Sequence, residues 1–302
     1  MRKYLKYVAP ALIALFAPVP SFSAETMKLK PAISGYTDEG GTGLKHPEGV
    51  SCNEKPLLVV ADTGNGRLIR FNFTGETLNP GSEISLPQLP YPIRVQMNSI
   101  GDIFVLDGKH RKIGRISSGG EFKGYIDFST ITSQRGIVPK SMTIDKKDNL
   151  YVLDISSEKV IVLQPDGKVQ REISFPEDYG FFSDLTVDSS GNLYIIDSTG
   201  RRVYTSVAGS SSIIPLTESL KEDVDFPVAI AADNRGNLFL VDQNGSGIVI
   251  LGRDGSFRGR QLNLGWKEGL LHYPSQICVN DNGFIFIADR GNSRIQIYST
   301  SQ

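Results

Sequence analysis

The chain has 302 residues, with 32 Lys+Arg against 33 Asp+Glu and a formal net charge of −1. Its 39% hydrophobic and 22% charged side chains fit a folded globular protein and exclude a disordered chain, a multi-span membrane protein and a strongly basic nucleic-acid binder. Two Cys are too few for a disulfide scaffold or a four-thiolate zinc site, while 31 Gly are what many tight turns require.

Arg2, Lys3 and Lys6 precede an apolar run from Val8 to Val19, which closes on Ser21-Phe22-Ser23-Ala24. A basic start, a short apolar stretch and small residues at its end predict a signal peptide over residues 1–24, cleaved after Ser23 or Ala24. The apolar run is shorter than the roughly 20 residues that a spanning helix needs. The expectation is therefore an exported chain, periplasmic or extracellular, with residues 25–302 as a single domain and no integral membrane segment. Loss of the three leader cations leaves 29 basic against 33 acidic side chains, a net charge of −4. Such a balance disfavours a phosphate-backbone partner, so nucleic acid is set aside.

From Pro47 onward the chain repeats. An apolar-apolar-Asp triplet recurs with its Asp at Asp62, Asp107, Asp154, Asp197, Asp242 and Asp289, at gaps of 45, 47, 43, 45 and 47 residues. Fifteen positions before each Asp stands Pro47, Pro92, Pro139, Phe182, Pro227 or Pro274. Nine before it stands Asn53, Asn98, Asp145, Asp188, Asp233 or Asn280, and six before it a Gly in four copies: Gly101, Gly191, Gly236 and Gly283. Six copies in register are a strong repeat signal.

Each copy predicts the same order of elements. A short apolar run follows the Pro, which suits the first residue of a strand because the ladder does not need its missing N–H. The Asx and Gly columns predict a turn into a second, β-branched and aromatic strand that ends on the Asp. A polar loop, a third strand and a weaker, more polar fourth strand complete the copy, as in Phe122 to Ile126. Four antiparallel strands in about 45 residues are the size of a propeller blade. No helical pattern of 10–15 residues separates the strands, which excludes a parallel α/β sheet. The fold class is all-β, a six-bladed β-propeller.

Two copies carry a more specific pattern. Ala61-Asp62-Thr63-Gly64-Asn65-Gly66-Arg67-Leu68 and Ala288-Asp289-Arg290-Gly291-Asn292-Ser293-Arg294-Ile295 resemble the signature of NHL repeats, as does Pro-Glu-Gly-Val at Pro47 to Val50. The resemblance extends over residues 28–302 and implies the same six-bladed propeller. The middle copies depart from the signature after the Asp, for example at Gly108-Lys109-His110-Arg111.

The last copy ends after its third strand, at Tyr298, while a spare segment, Lys28 to Ser34, lies upstream of the first Pro. That segment is expected to supply the missing outer strand, so that the N-terminal end latches the ring; Pro31 is tolerable on a free edge. Closure would set the first and last blades side by side, with both Cys on their inner strands. Cys52 and Cys278 then either form a disulfide or remain as two small buried thiols.

The loops before each first strand and between the second and third strands emerge on one face, where a binding site is expected. Pre-Pro residues His46, Tyr91, Phe226 and Tyr273 form a candidate rim, with Phe181 at the matching position of the fourth copy. Packing between neighbouring blades is the other reading of these rings. Just inside the channel stands a column that includes Arg94, Asp184 and Gln276, of which Arg94 and Asp184 are polar where apolar residues would serve, as a channel ion pair or as ligand contacts; Glu48 and Lys140 stand beside that column. Lys109, His110, Arg111, Arg201, Arg202, Arg290 and Arg294 are expected further out on the same face.

His46, His110 and His272 share this face, but their placement makes convergence on one zinc ion strained. Peptidyl-amidating lyases of the NHL type carry ligand His on inner strands, where this chain has none. Gluconolactonase-like propellers hold calcium with Glu, Asn and Asp, of which Glu48 alone matches. The Asp145 to Asp148 stretch reads as a turn former, not a calcium loop. No cofactor and no catalytic residue are assigned. The functional expectation is a binding or scaffold module for a protein, peptide or glycan; the alternative is a propeller lyase or hydrolase with a metal-assisted site at the channel mouth.

Overall fold

The computed structural model describes residues 27–53, 56–131 and 136–301, and residues 1–24, expected as a signal, lie outside that set. Six four-stranded antiparallel sheets form the blades of a propeller. Blade 1 comprises Gly49–Cys52, Leu57–Asp62, Arg67–Phe73 and Leu78–Ile84; blade 2 comprises Pro92–Met97, Ile103–Asp107, Lys112–Ile116 and Phe122–Tyr125. Blade 3 is Pro139–Ile144, Leu150–Asp154, Lys159–Leu163 and Val169–Ser174; blade 4 is Phe182–Val187, Leu193–Asp197, Arg202–Ser206 and Ile214–Pro215. Blade 5 is Pro227–Ala232, Asn237–Asp242, Gly247–Gly252 and Phe257–Gln261. Gln276–Val279, Phe284–Asp289 and Arg294–Ser301 begin blade 6, and Lys28–Gly35 completes it.

Every second strand ends on the repeated Asp, so the columns of the sequence are the strand boundaries of the fold. The Gly column sits where the turn between first and second strands needs positive φ: Gly101, Gly191, Gly236 and Gly283 have φ of 91°, 85°, 87° and 81°. Blade 3 puts Asp148 there instead, at φ 62°. Asp145 is confirmed as a turn former, its Oδ1 accepting the N–H groups of Lys147 and Asn149 at 2.8 and 2.9 Å.

Packing follows from the strand pattern. Second strands such as Ile103–Asp107 and Leu193–Asp197 are buried throughout because both faces meet neighbouring blades. Outer strands such as Val169–Ser174 are largely open to solvent. Among the described residues the core divides into six apolar clusters, each shared by two consecutive blades. The cluster that joins blade 6 to blade 1 holds Phe286, Ile295 and Ile297 against Val50, Leu58 and Phe71.

The ring is fastened twice at that junction. Lys28–Gly35 pairs antiparallel with Arg294–Ser301, from Lys28 opposite Ser301 to Gly35 opposite Ile295. Cys52 and Cys278 are disulfide-bonded, with their Cα atoms 6.0 Å apart. Of the two readings that the sequence leaves open for these Cys, the structure has the disulfide. No helix among the described residues is long and apolar enough to cross a membrane.

Candidate functional site

The repeated Asp builds the loop face. Each carboxylate is buried and accepts the backbone N–H of the loop that enters its own blade. Asp107 Oδ1 accepts from Tyr91 at 2.7 Å, Asp154 Oδ1 from Val138 at 2.7 Å, and Asp242 Oδ1 from Phe226 at 2.8 Å. Asp197 takes both Gly180 and Phe181, at 2.7 and 2.8 Å, and these N–H donors, with that of Gly200, hold its carboxyl below the usual range against the opposing effect of burial. In blades 1 and 6 the clamp falls one residue earlier, on Lys45 and His272, each at 2.7 Å, and His46 and Tyr273 then take positive φ.

The NHL-like signature extends this clamp. Asp62 Oδ2 accepts from Asn65 Nδ2 and Arg67 Nε, and Asp289 Oδ2 from Asn292 Nδ2 and Arg294 Nε, all at 2.8 Å. Gly64 is needed because a Cβ there would lie 2.5 Å from the carbonyl oxygen of Lys45. Arg294, expected among the outer loop-face residues, is instead buried at 2% exposure, where its guanidinium also donates to the carbonyls of Trp266, Lys267 and Leu270. A cation inside a blade needs this many acceptors, so Arg294 belongs to the scaffold.

Inside the ring, side chains of one blade accept from backbone N–H groups on the first strand of the next. Gln276 Oε1 accepts from Val50 N at 3.0 Å and Asp184 Oδ2 from Ile230 N at 2.9 Å, an identical offset in two blade junctions. Ser51 Oγ accepts from Met97 N at 3.0 Å in the same manner. This accounts for polar Asp184 and Gln276 on otherwise apolar strands, a role that residue type alone does not reveal.

Glu48, Arg94, Lys140 and Asp184 meet electrostatically at the loop-face mouth. Burial pushes the Asp184 carboxyl up, and Arg94 and the Ser141 hydroxyl, which donates to it, act in the opposite direction. Burial pulls the Lys140 ammonium down; Arg94 adds to that, while Asp184 and Glu48 oppose it. Arg94 Nη1 donates to the carbonyls of Ile93 at 3.0 Å and Glu48 at 3.4 Å. Gly49 leaves room for this, because a Cβ there would stand 3.3 Å from the Arg94 Cα and 3.2 Å from Gln276 Oε1. Arg290, expected further out, joins the mouth through Glu48, with Nε 3.2 Å from Oε1. The signal that places it here is its position directly after the repeated Asp.

Tyr91, Phe181 and Tyr273 stand exposed around this face at 44%, 37% and 48%. Lys140 Nζ lies 5.4 Å from the centroid of the Phe181 ring. Phe226 is half-buried and packs on the core shared by blades 5 and 6, so it follows the packing reading. The His residues stay apart: His46 Nδ1 is 3.3 Å from the Arg290 carbonyl oxygen, His110 Nδ1 is 2.8 Å from Asp107 Oδ2, and His272 stacks beside Trp266 and Tyr273. Among the described residues no group of three or more His, Cys, Asp or Glu is placed to hold a metal ion. Glu48, the residue that resembles a calcium ligand, is ion-paired with Arg290, and the cationic lining of Arg94, Lys140 and Arg290 does not favour a divalent cation there.

A cavity of about 470 Å³ lies at the opposite mouth, among the Asx turns. Asn98, Asp145, Asp188, Asp233 and Asn280 line it, and Lys146 of blade 3 reaches Asp281 of blade 6 across it, Nζ to Oδ2 at 3.0 Å. The Asx column foreshadows this ring, but its carboxylates serve the turns: Asp188 and Asp233 each hold two N–H groups of their own loop.

Residues 271–298 match the NHL repeat family model. No curated protein matches the chain by sequence. Among solved structures, a streptogramin B lyase shares 15% identity over 91% of this chain and 98% of its own, with a TM-score of 0.62. The virginiamycin B lyase of Staphylococcus aureus shares 15% over 90% and 99%, at 0.61. A gluconolactonase of Xanthomonas campestris shares 13% over 90% and 97%, at 0.65. At such identity the likeness establishes architecture and leaves the site to be argued from its own residues. The chain carries an NHL repeat in its last blade and, as a whole, is a six-bladed β-propeller.

Proposed function

We propose that the protein is an exported binding module that engages a protein, peptide or glycan through the loop-face mouth. The observation that carries this reading is the joint presence there of charged side chains facing the channel and three exposed aromatic rings, Tyr91, Phe181 and Tyr273. Exposed aromatics beside convergent polar groups are the usual make-up of a recognition surface. Export is supported by the signal-like residues 1–24 and by the Cys52–Cys278 disulfide, which suits an oxidising compartment. The test is capture of partners from an envelope fraction by the wild type, by Tyr91→Ala with Tyr273→Ala, and by a control at Asn234, which lines the cavity of the opposite mouth, as Asn234→Ala. Partners lost only with the loop-face changes support the reading; partners retained by all three overturn it. Mass analysis of the exported protein should find its first residue at Ala24 or Glu25.

A second reading, a propeller lyase or hydrolase at the same mouth, is favoured by Lys140 and Asp184, whose proton affinities are moved in opposite directions by one enclosed environment. Turnover of lactone or cyclic peptide substrates that Lys140→Gln abolishes would establish it. The same variant should leave a pure binding module without any rate to lose.

A further inference from the structure

We propose that the loop-face mouth is a carboxylate-binding site whose cationic walls are Arg94 of blade 2 and Lys140 of blade 3. This rests on the loop-face reading and specifies its ligand chemistry. The argument begins from how charge is distributed among the four groups that meet there. Both carboxylates are already engaged: Glu48 pairs with Arg290, and Asp184 accepts from Ser141 and from the Ile230 N–H. Neither cation is: among the described residues no carboxylate lies within ion-pairing distance of Arg94 or Lys140. Arg94 Nη1 has only backbone carbonyls, and its Nε is buried without a partner. Lys140 Nζ has the face of Phe181.

Two cations on adjacent blades therefore face the mouth without a carboxylate in direct contact, Asp184 and Glu48 acting on Lys140 only from a distance, and each cation raises the energy of the other, which is one cause of the lowered Lys140 affinity for its proton. An anion between them would relieve that repulsion through charge-assisted hydrogen bonds to the guanidinium and the ammonium. A carboxylate suits the pair because its two oxygens can meet a guanidinium fork and an ammonium together. The half-open ring of Phe181 offers an apolar surface to the body that bears the carboxylate.

The experiment is calorimetric titration of the intact protein at low salt with two matched pairs of probes. Glucuronate is set against glucose, and N-acetyl-tyrosine against its C-terminal amide. The wild type should bind at least one charged probe at least tenfold more tightly than its neutral partner, with affinity falling as salt rises. Arg94→Gln and Lys140→Gln should each remove that preference. Lys140→Gln is the decisive variant for folding reasons, because among the described residues Nζ makes no hydrogen bond whose loss could unfold the blade. Preference for glucuronate identifies an acidic sugar as the source of the carboxylate, and preference for N-acetyl-tyrosine a peptide terminus; both support the inference. Charged probes that bind no better than neutral ones, while partner capture still depends on Tyr91 and Tyr273, overturn the carboxylate site and leave the loop-face reading intact. Absence of both overturns the two together.

Discussion

Cys52 and Cys278 are bonded across 226 residues of sequence, and the bond ties the inner strand of the first blade to that of the last. It acts on the same seam as the apolar cluster of Phe71 and Phe286 and the strand pair of Lys28–Gly35 with Arg294–Ser301. Closing so long a loop restricts the unfolded chain strongly, by up to roughly 5 kcal/mol in the chain-entropy view. Cys52→Ser with Cys278→Ser should therefore lower unfolding free energy by about 2–5 kcal/mol. Urea midpoints of wild type and variant, each with and without reductant, check this. Equal midpoints for the two oxidised proteins would contradict it.

Removal of Lys28–Gly35 should lower the melting temperature sharply, since it leaves blade 6 with three strands and a bare edge at Arg294–Ser301. A milder probe is Leu29→Ala: Leu29 is 7% exposed and packs in the cluster with Tyr298 and Phe239. Its truncation should lose about 2–3 kcal/mol. A melt unchanged by the deletion would mean that the latch contributes nothing to stability.

Asp289→Ala should destabilise by about 3–5 kcal/mol, because Arg294 would keep a buried charge without its carboxylate. The same change frees the His272 N–H, so the entry loop of blade 6 should gain hydrogen exchange together with the global loss. Exchange-rate measurement on the 262–275 loop separates this from a change confined to Arg294.

Lys140 and Asp184 give opposite pH slopes. Because Lys140 is lowered from 10.5, the folded protein holds fewer protons than the unfolded chain between its folded pKa and that value. Its contribution to stability thus rises with pH through that window, and Lys140→Gln should flatten the rise. Asp184 is raised from 3.8, so its contribution is present at low pH and is lost as pH climbs from that value through the folded pKa. Asp184→Asn should accordingly gain on the wild type as pH increases from about 4 to neutrality. Urea unfolding as a function of pH reads both; parallel curves for wild type and variants would refute the assigned causes.

The blades were legible because a propeller writes its strand ends into fixed columns: the stretch between the first column and the Asp, as from Pro92 to Asp107, is a hairpin in each copy, and the sixth copy lacked the outer strand that Lys28–Gly35 supplies. The purpose of the Asp column was not legible, since the hydrogen bonds that Asp107 accepts from the Tyr91 N–H and Asp289 from the His272 N–H depend on a loop 16 or 17 residues away folding back. Arg294 illustrates the same limit: its position suggested a surface loop, but the third strand begins at that residue and turns it inward. The mouth was partly legible. Arg94, Lys140 and Asp184 stand at the right depth, yet Arg290 enters only because a turn after Asp289 aims it at Glu48.

A blade built from strands on either side of the other five also sets an order of events during synthesis. The segment Lys28–Gly35 is made before blades 1 to 5 and its partner Arg294–Ser301 after them, so it must wait until all five have been made. Blades 1 to 5 can form in sequence as they appear, each leaning on its predecessor, while the waiting strand stays unpaired and liable to mispair. Lys28 and Lys30, together with Pro31, are the kind of residues that discourage such pairing, and they occupy the early strand. The ring thus completes only once the sixth blade has been made, which is also when Cys278 can first meet Cys52.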